Sequence, residues 1–407
     1  MNRRYIAGLT GAALLTMAIS FPAGATTPSL RVVDDDGLAG VTDTGAPDCS
    51  DGFTPVLLPG VVFATIGAAV TASNPGDTIY VCPGTYAESV VLTKQLTIEG
   101  PYTGVADRAC SVRHGEATVT SSSSYALDLQ ASGIVVDGLR IANSSHGGIL
   151  THVANTSELI ENSAFDNNSV GIDFYASGPQ FSTIRGNCFS DNNNGASGWG
   201  VRSNSKGLSI ASITGNGFWN HRGGAVLLDG GPAAIDNVYI RNNVSTRDRV
   251  FASLISVSNS QVRGNTVKTD EDISVPGSAI VVGGSSGAIQ VRANNINSNH
   301  TEGVLIKDSA SALVQSNVIT GVAAGISIST NRVGGALVAK NRVTDVTGSS
   351  ITFAATTSGD TIRGNKALGI ANFQCVDLSV GGGTLGTANL WINNKGQESI
   401  PDGLCNP

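Results

Sequence analysis

Ile184-Arg185-Gly186-Asn187-Cys188-Phe189 decides how this chain is read, because its pattern recurs: an apolar residue, two variable residues, Asn, one variable residue, an apolar residue. Further copies run from Ile213 to Phe218, Tyr239 to Val244, Val262 to Val267, Val291 to Ile296, Val314 to Ile319, Val338 to Val343 and Ile362 to Ala367. Their Asn residues are Asn187, Asn216, Asn242, Asn265, Asn294, Asn317, Asn341 and Asn365, spaced by 29, 26, 23, 29, 23, 24 and 24. Ser163 and Leu139 extend the register backward. Self-similarity at a period of about two dozen residues is the signature of a solenoid.

Each segment alternates apolar and polar residues and is too short and too rich in Val and Ile for a helix, so each coil consists of strands. Asn tolerates a left-handed backbone, and its amide can bond the amides of the coils above and below. The Asn series is therefore structural. A second element follows each Asn turn, a Gly leading an alternating strand, as in Gly171-Ile172-Asp173-Phe174-Tyr175, Gly200-Val201-Arg202-Ser203-Asn204 and Gly303-Val304-Leu305-Ile306-Lys307. Ile172 and Phe174 point inward, Asp173 and Tyr175 outward. About a dozen coils at ~4.8 Å would build a rod about 50 to 60 Å long.

Outside the repeat, Arg3 and Arg4, the apolar run Ile6 to Phe21 and the small residues Ala23-Gly24-Ala25 predict a secretory signal peptide over 1–25, too short for a comfortable membrane span. Residues 26–61 read as irregular, 62–372 as the solenoid with its N-terminal cap, and 373–407 as a C-terminal cap. Phe63, Ile66 and Val70 share one helical face within 63–73, a short helix suited to covering the open coil end. The acidic trio Asp34-Asp35-Asp36 could bind calcium and reads as a solvated loop. Six cysteines in an exported chain predict disulfides. Cys49 and Cys82 flank the first segment and Cys375 and Cys405 the last, so each end is expected to be stapled locally, with Cys110 and Cys188 paired or free.

Charged residues make up only 14% and Gly numbers 51, which fits a turn-rich β architecture. A net charge of −7 offers no broad basic surface to phosphates, so nucleic acid is not an expected partner. The five His are scattered, and the only two Met, Met1 and Met17, fall in the leader, so no copper site is expected.

The opening segments, Ile66-Gly67-Ala68-Ala69-Val70, Pro75-Gly76-Asp77-Thr78-Ile79-Tyr80-Val81, Pro83-Gly84-Thr85-Tyr86-Ala87-Glu88 and Leu96-Thr97-Ile98-Glu99-Gly100, resemble those of secreted pectin-lyase-like proteins, and the coils resemble the repeats of periplasmic copper-site accessory proteins. The resemblance covers residues 62 to about 370 and implies an all-β, right-handed parallel β-helix. For activity it implies a polysaccharide lyase or glycoside hydrolase acting on an acidic or plant-type polysaccharide, or a non-catalytic surface module that binds or displays. The paired-Asp and His motifs of pectin esterases and polygalacturonases, the mannuronan epimerase motif and the clustered Asp residues of a pectate lyase calcium site are not found.

In polysaccharide-active members of that superfamily the cleft lies on the sheet made by the post-Gly strands. Stacking the coils puts Leu150 and His152 beside Asp173 and Tyr175, then Arg202 and Asn204, then Val226 or Leu227 with Leu228 or Asp229. Nearby turns add Trp199, Trp219, Lys206, His221 and Arg222, aromatic faces for sugar rings and cations for carboxylates. For β-elimination, His152, Tyr175 or Lys206 would be the base and Arg202 or Arg222 the neutralising cation. For hydrolysis, Asp173 and Asp229 would lie two coils apart, about 9 to 10 Å, bordering on the inverting range. The competing reading is that these are ordinary outward polar positions.

Overall fold

A computed structural model describes residues 28–35 and 62–407, except 152, 155, 176–179, 196–197, 205–207, 232–234, 270–276, 285, 310, 330–334 and 370–371. The predicted leader and Cys49 lie outside the described residues.

Three long parallel sheets wind around one core. Sheet A holds the strands that precede the Asn turn, such as Phe181–Arg185. Sheet B holds those that follow it, such as Cys188–Ser190, and sheet C the post-Gly strands, such as Trp199–Asn204. Among the described residues they contain 15, 12 and 13 strands. Inward positions are Ile, Val, Leu and Phe stacked on their counterparts in the next coil. Phe165, Phe189 and Phe218 form one such column, with ring centroids 4.7 and 4.9 Å apart and nearly parallel planes. The solenoid and its strand assignment are as the periodicity predicts.

The Asn ladder runs through the turn between sheets A and B. Asn187 donates from Nδ2 to Ile160 O (2.9 Å) in the preceding coil and to Asn216 Oδ1 (3.1 Å) in the next, and its backbone N–H also donates to Asn216 Oδ1 (3.0 Å). Each amide thus satisfies buried groups in both neighbouring coils. Two details differ from the sequence reading. The rung between Asn216 and Asn265 is Asn243, not Asn242, because Ile240 rather than Tyr239 occupies the inward position. The left-handed residue is not the rung itself but the one before it: Gly186, Gly215, Asn242 and Gly264 have φ of 67°, 66°, 54° and 66°. That is why Gly so often precedes the Asn.

Two shorter ladders were not anticipated. In the turn between sheets B and C, the N–H of Ser144 donates to Asn168, that of Asn168 to Asn192, and that of His221 to Asp248. In the turn returning to sheet A, Ala336 N donates to Asp360 Oδ1 and Asp360 N to Asn389 Oδ1, both 3.0 Å.

The ends are closed. The helix Ile66–Ala72 begins only at Ile66, because Thr65 caps it through Oγ1 while Glu88 accepts from the N–H groups of Ile66 and Gly67. Phe63 instead belongs to a two-residue strand. Leu30–Val33, expected to be irregular, joins sheet A between that strand and Thr78–Val81. At the other end the register persists farther than expected: Leu390–Ile392 adds a strand to sheet A and Asn394 a rung to the ladder. Leu390-Trp391-Ile392-Asn393-Asn394 keeps Trp391 inward and Asn393 left-handed, which is the repeat in altered spelling. Cys375 and Cys405 are disulfide-bonded (Cα–Cα 6.1 Å), as are Cys110 and Cys188 (5.0 Å). Cys82 is also disulfide-bonded, and the expected Cys49–Cys82 pair lies partly outside the described residues.

Candidate functional site on the outer face of sheet C

Register fixes the outer column of sheet C as Asp128, Leu150, Asp173, Arg202, Leu227 and Ser253 in successive coils. The pairing Asn204↔Asp229 resolves the last coil in favour of Leu227 and Asp229 as outward positions. At the centre, Arg202 grips Asp173 with both Nε and Nη2, the first at 3.0 Å. Tyr125, two coils earlier, donates its hydroxyl to the same carboxylate at 2.7 Å. It reaches so far because Gly147 stands between: a Cβ there would sit 2.5 Å from Tyr125 Cε1. Trp199 lies similarly against Gly224, where a Cβ would meet its ring at 2.6 Å.

Asp173 is 1% exposed, whereas the Arg202 side chain keeps 19% of its surface in solvent. Burial and the neighbouring Asp173 charge push the Tyr125 hydroxyl well above its ordinary pKa, so it is a neutral donor and not a base. Burial works against the charge on Arg202, but the bond and charge of Asp173 outweigh it and hold the guanidinium protonated. A carboxylate held by a bidentate guanidinium and a phenol is suited to act as a positioning anchor that fixes the guanidinium in place. Asp229 lies two coils on and two residues farther along its strand, about 11 to 12 Å away at ~4.8 Å per coil and ~3.3 Å per residue. It accepts from Gly231 N at 3.0 Å. That spacing is between Cα atoms, and Asp229 and Asp173 share the outer face of sheet C as the hydrolytic reading requires, but Asp173 differs from a free acid or base in being held by Arg202 and Tyr125.

The remaining candidates separate. Tyr175 is 54% exposed beside this cluster, and Trp199 is half-buried at the start of its strand. His152 and Lys206 lie outside the described residues, as does the side chain of Asn204. Trp219 belongs to sheet B, with the Arg247 guanidinium 5.0 Å from its ring centroid. Arg222 is exposed on the intervening turn, where its N–H donates to Asn193 Oδ1 (2.7 Å). His221 is not a groove residue: it is 1% exposed, bonded through Nδ1 to Asp248 (2.6 Å) and through Nε2 to Asn192 (3.1 Å). It replaces Asn as a rung of the second ladder, hence its inward direction. Tyr125 was missed because its strand, Tyr125–Leu129, lacks the leading Gly that marks the others.

A second concavity, of about 450 Å³, opens on the opposite flank between the loop 100–116 and the Asn turns, lined by Arg108, Asp137, Glu161 and Arg185. Its carboxylates are committed: Asp137 accepts from Gly104 N and Asn162 Nδ2, and Glu161 from Arg185 Nε. Together with Cys110–Cys188 and the bond from Arg108 to Asn242 O (2.9 Å), they strap the loop along the rod. Among the described residues no group of three or more His, Cys, Asp or Glu side chains is arranged to hold a metal ion, Asp34 and Asp35 included.

A family model described as a right handed beta helix region matches residues 84–245, 199–367 and 278–396. No curated protein matches the chain. Among solved structures, the chain is similar to the DFA-IIIase of Arthrobacter chlorophenolicus A6 in complex with GF2 (TM-score 0.53, 13% identity, 71% of this chain and 84% of that one). It is similar to the A-module of the Azotobacter vinelandii mannuronan C-5 epimerase AlgE6 (0.51, 13%, 82% and 95%). It also resembles a PL6 alginate lyase complexed with a trisaccharide (0.51, 12%, 84% and 84%). At these identities the likeness concerns the fold.

Proposed function

Since the chain belongs to the right-handed β-helix family, we propose that it is an exported glycan-binding protein holding a polysaccharide along the outer face of sheet C. The observation that carries this reading is the pre-organised Tyr125–Asp173–Arg202 cluster, which presents a fixed guanidinium edge between Trp199 and Tyr175. Aromatic faces stack on sugar rings, and a guanidinium held in place loses little side-chain entropy on binding. The structures similar to it are, by their names, an alginate lyase, a mannuronan epimerase and a DFA-IIIase, the lyase and the DFA-IIIase holding a trisaccharide and GF2. Binding is favoured over cleavage because Asp173 is held by Arg202 and Tyr125, an arrangement suited to orienting the guanidinium. Export by residues 1–25 accords with the two described disulfides and the absence of a free cysteine among the described residues.

Affinity electrophoresis against pectins, alginate, glycosaminoglycans and neutral glucans, with mass spectrometry of the glycans afterwards, tests the proposal. The protein should be retarded by at least one glycan and leave it intact, and Arg202→Gln or Trp199→Ala should weaken that retardation about tenfold, the scale of one lost charge-assisted contact. Retardation unaffected in both variants would refute the location. Shortened or unsaturated products would replace binding with catalysis.

A further inference from the structure

On sheet A the outer column next to the Asn turn reads Glu161, Arg185, Thr214, Arg241, Arg263, Arg292 and Gln315 in successive coils. Arg241, Arg263 and Arg292 are therefore in direct register, their Cα atoms ~4.8 Å apart. Like charges directly opposite each other in a sheet are destabilising. Several other outward arginines have a carboxylate beside them: Arg140 has Asp166 and Glu116, Arg185 has Glu161, Arg202 has Asp173, while the pair Arg342 and Lys366 on sheet B has none among the described residues. Among the described residues no carboxylate pairs with any of the three.

Neutral neighbours hold two of them instead. The Arg241 guanidinium lies 4.2 Å from the Tyr239 ring centroid and donates from Nη2 to Gln261 Oε1 at 2.9 Å, while its Nε is buried without a partner. Arg292 donates to Gln290 Oε1 at 3.2 Å. Arg263, between them, is exposed. The neighbouring column on the same outer face, two residues earlier in each strand, is Tyr239, Gln261 and Gln290, an aromatic face followed by two amides.

We propose that this strip is a second binding surface, for a glycan bearing carboxylate or sulfate groups and lying parallel to the rod axis. Each anionic group would be met by one arginine, with Tyr239 and the amides on the sugar rings and hydroxyls. A bound polyanion supplies the countercharge that the fold omits. The strip is one arginine wide on a chain of net charge −7, which suits a single glycan chain better than a nucleic acid backbone needing a broad basic field.

The test is affinity electrophoresis of the full chain and of the triple variant Arg241→Gln, Arg263→Gln, Arg292→Gln, in gels containing polygalacturonate, fully methyl-esterified polygalacturonate, dextran sulfate or single-stranded DNA. Circular dichroism confirms that the variant keeps its β structure. The proposal predicts that the unmodified chain is retarded by polygalacturonate or dextran sulfate, that the effect weakens with salt, and that the triple variant loses it about tenfold or more. The triple substitution should cause the same fold-loss in the Arg202→Gln background as in the unmodified chain, which separates failure of this surface from failure of the one on sheet C. Equal retardation of the triple variant, no retardation of the unmodified chain by either polyanion, or equal retardation by the esterified polymer would overturn it. Stronger retardation by DNA would assign the strip to nucleic acid instead.

Discussion

Single polar residues decide most of what is unusual here, and Asp360 shows how. Its carboxyl accepts the Ala336 N–H in the turn that returns to sheet A. Burial raises its pKa to about 6, reinforced by nearby Asp377, although the hydrogen bond works the other way. An acid whose folded pKa exceeds its unfolded value contributes stability that is complete below about pH 3.8 and is lost as pH rises through about 6. Asp360→Asn keeps an acceptor for Ala336 without the titration. Urea midpoints measured between pH 4 and pH 7 should fall with pH less steeply in that variant than in the unmodified chain. An unchanged slope would contradict the assignment. His221 teaches the same lesson about the site: a histidine on an outward-reading turn became a buried rung because the turn it occupies carries a ladder of its own.

At the scale of elements, the Asn ladder holds the turns that set every strand's register. Asn265 accepts from Asn243, and donates to Ile240 O and to Asn294 Oδ1, all within 2.9–3.0 Å. Asn265→Ala would leave several buried groups without partners, at about 1–3 kcal/mol each, so a loss of at least ~3 kcal/mol is expected in urea unfolding. Asn242→Gly, at the exposed left-handed position that Gly186 and Gly264 fill elsewhere, should leave stability about unchanged or slightly raised. The reverse ranking would mean that Asn242 is the rung. The sheets were legible because inward Ile and Val recur at fixed spacing, and the principal ladder because Asn does. The ladders of the other two turns were not, since Ser, Asn, His and Asp share one column and Ala, Asp and Asn the other. Tyr239-Ile240 offered two apolar residues for one inward position, and the pattern alone chose the wrong one.

For the whole molecule, the rod presents different chemistry on different faces: an ion-paired, aromatic-flanked cluster on sheet C, a strapped cleft of mixed charge at the Asn turns, and a strip of arginines on sheet A held by neutral neighbours. Which residues share a face followed from the repeat, so Asp173, Tyr175, Arg202 and Asp229 could be placed on one sheet from sequence. Which of them touch did not follow, because Tyr125 reaches across two coils and the strand pairing sets only neighbours. Hydroxyl-radical footprinting of the full chain, with and without the glycan that retards it most strongly, tests the central claim most directly. Trp199, Tyr125 and Tyr175 should be protected from oxidation together, while Trp391, buried at the far end, stays unchanged. Unaltered oxidation of Trp199 and Tyr175 in the presence of saturating glycan would contradict a ligand on sheet C.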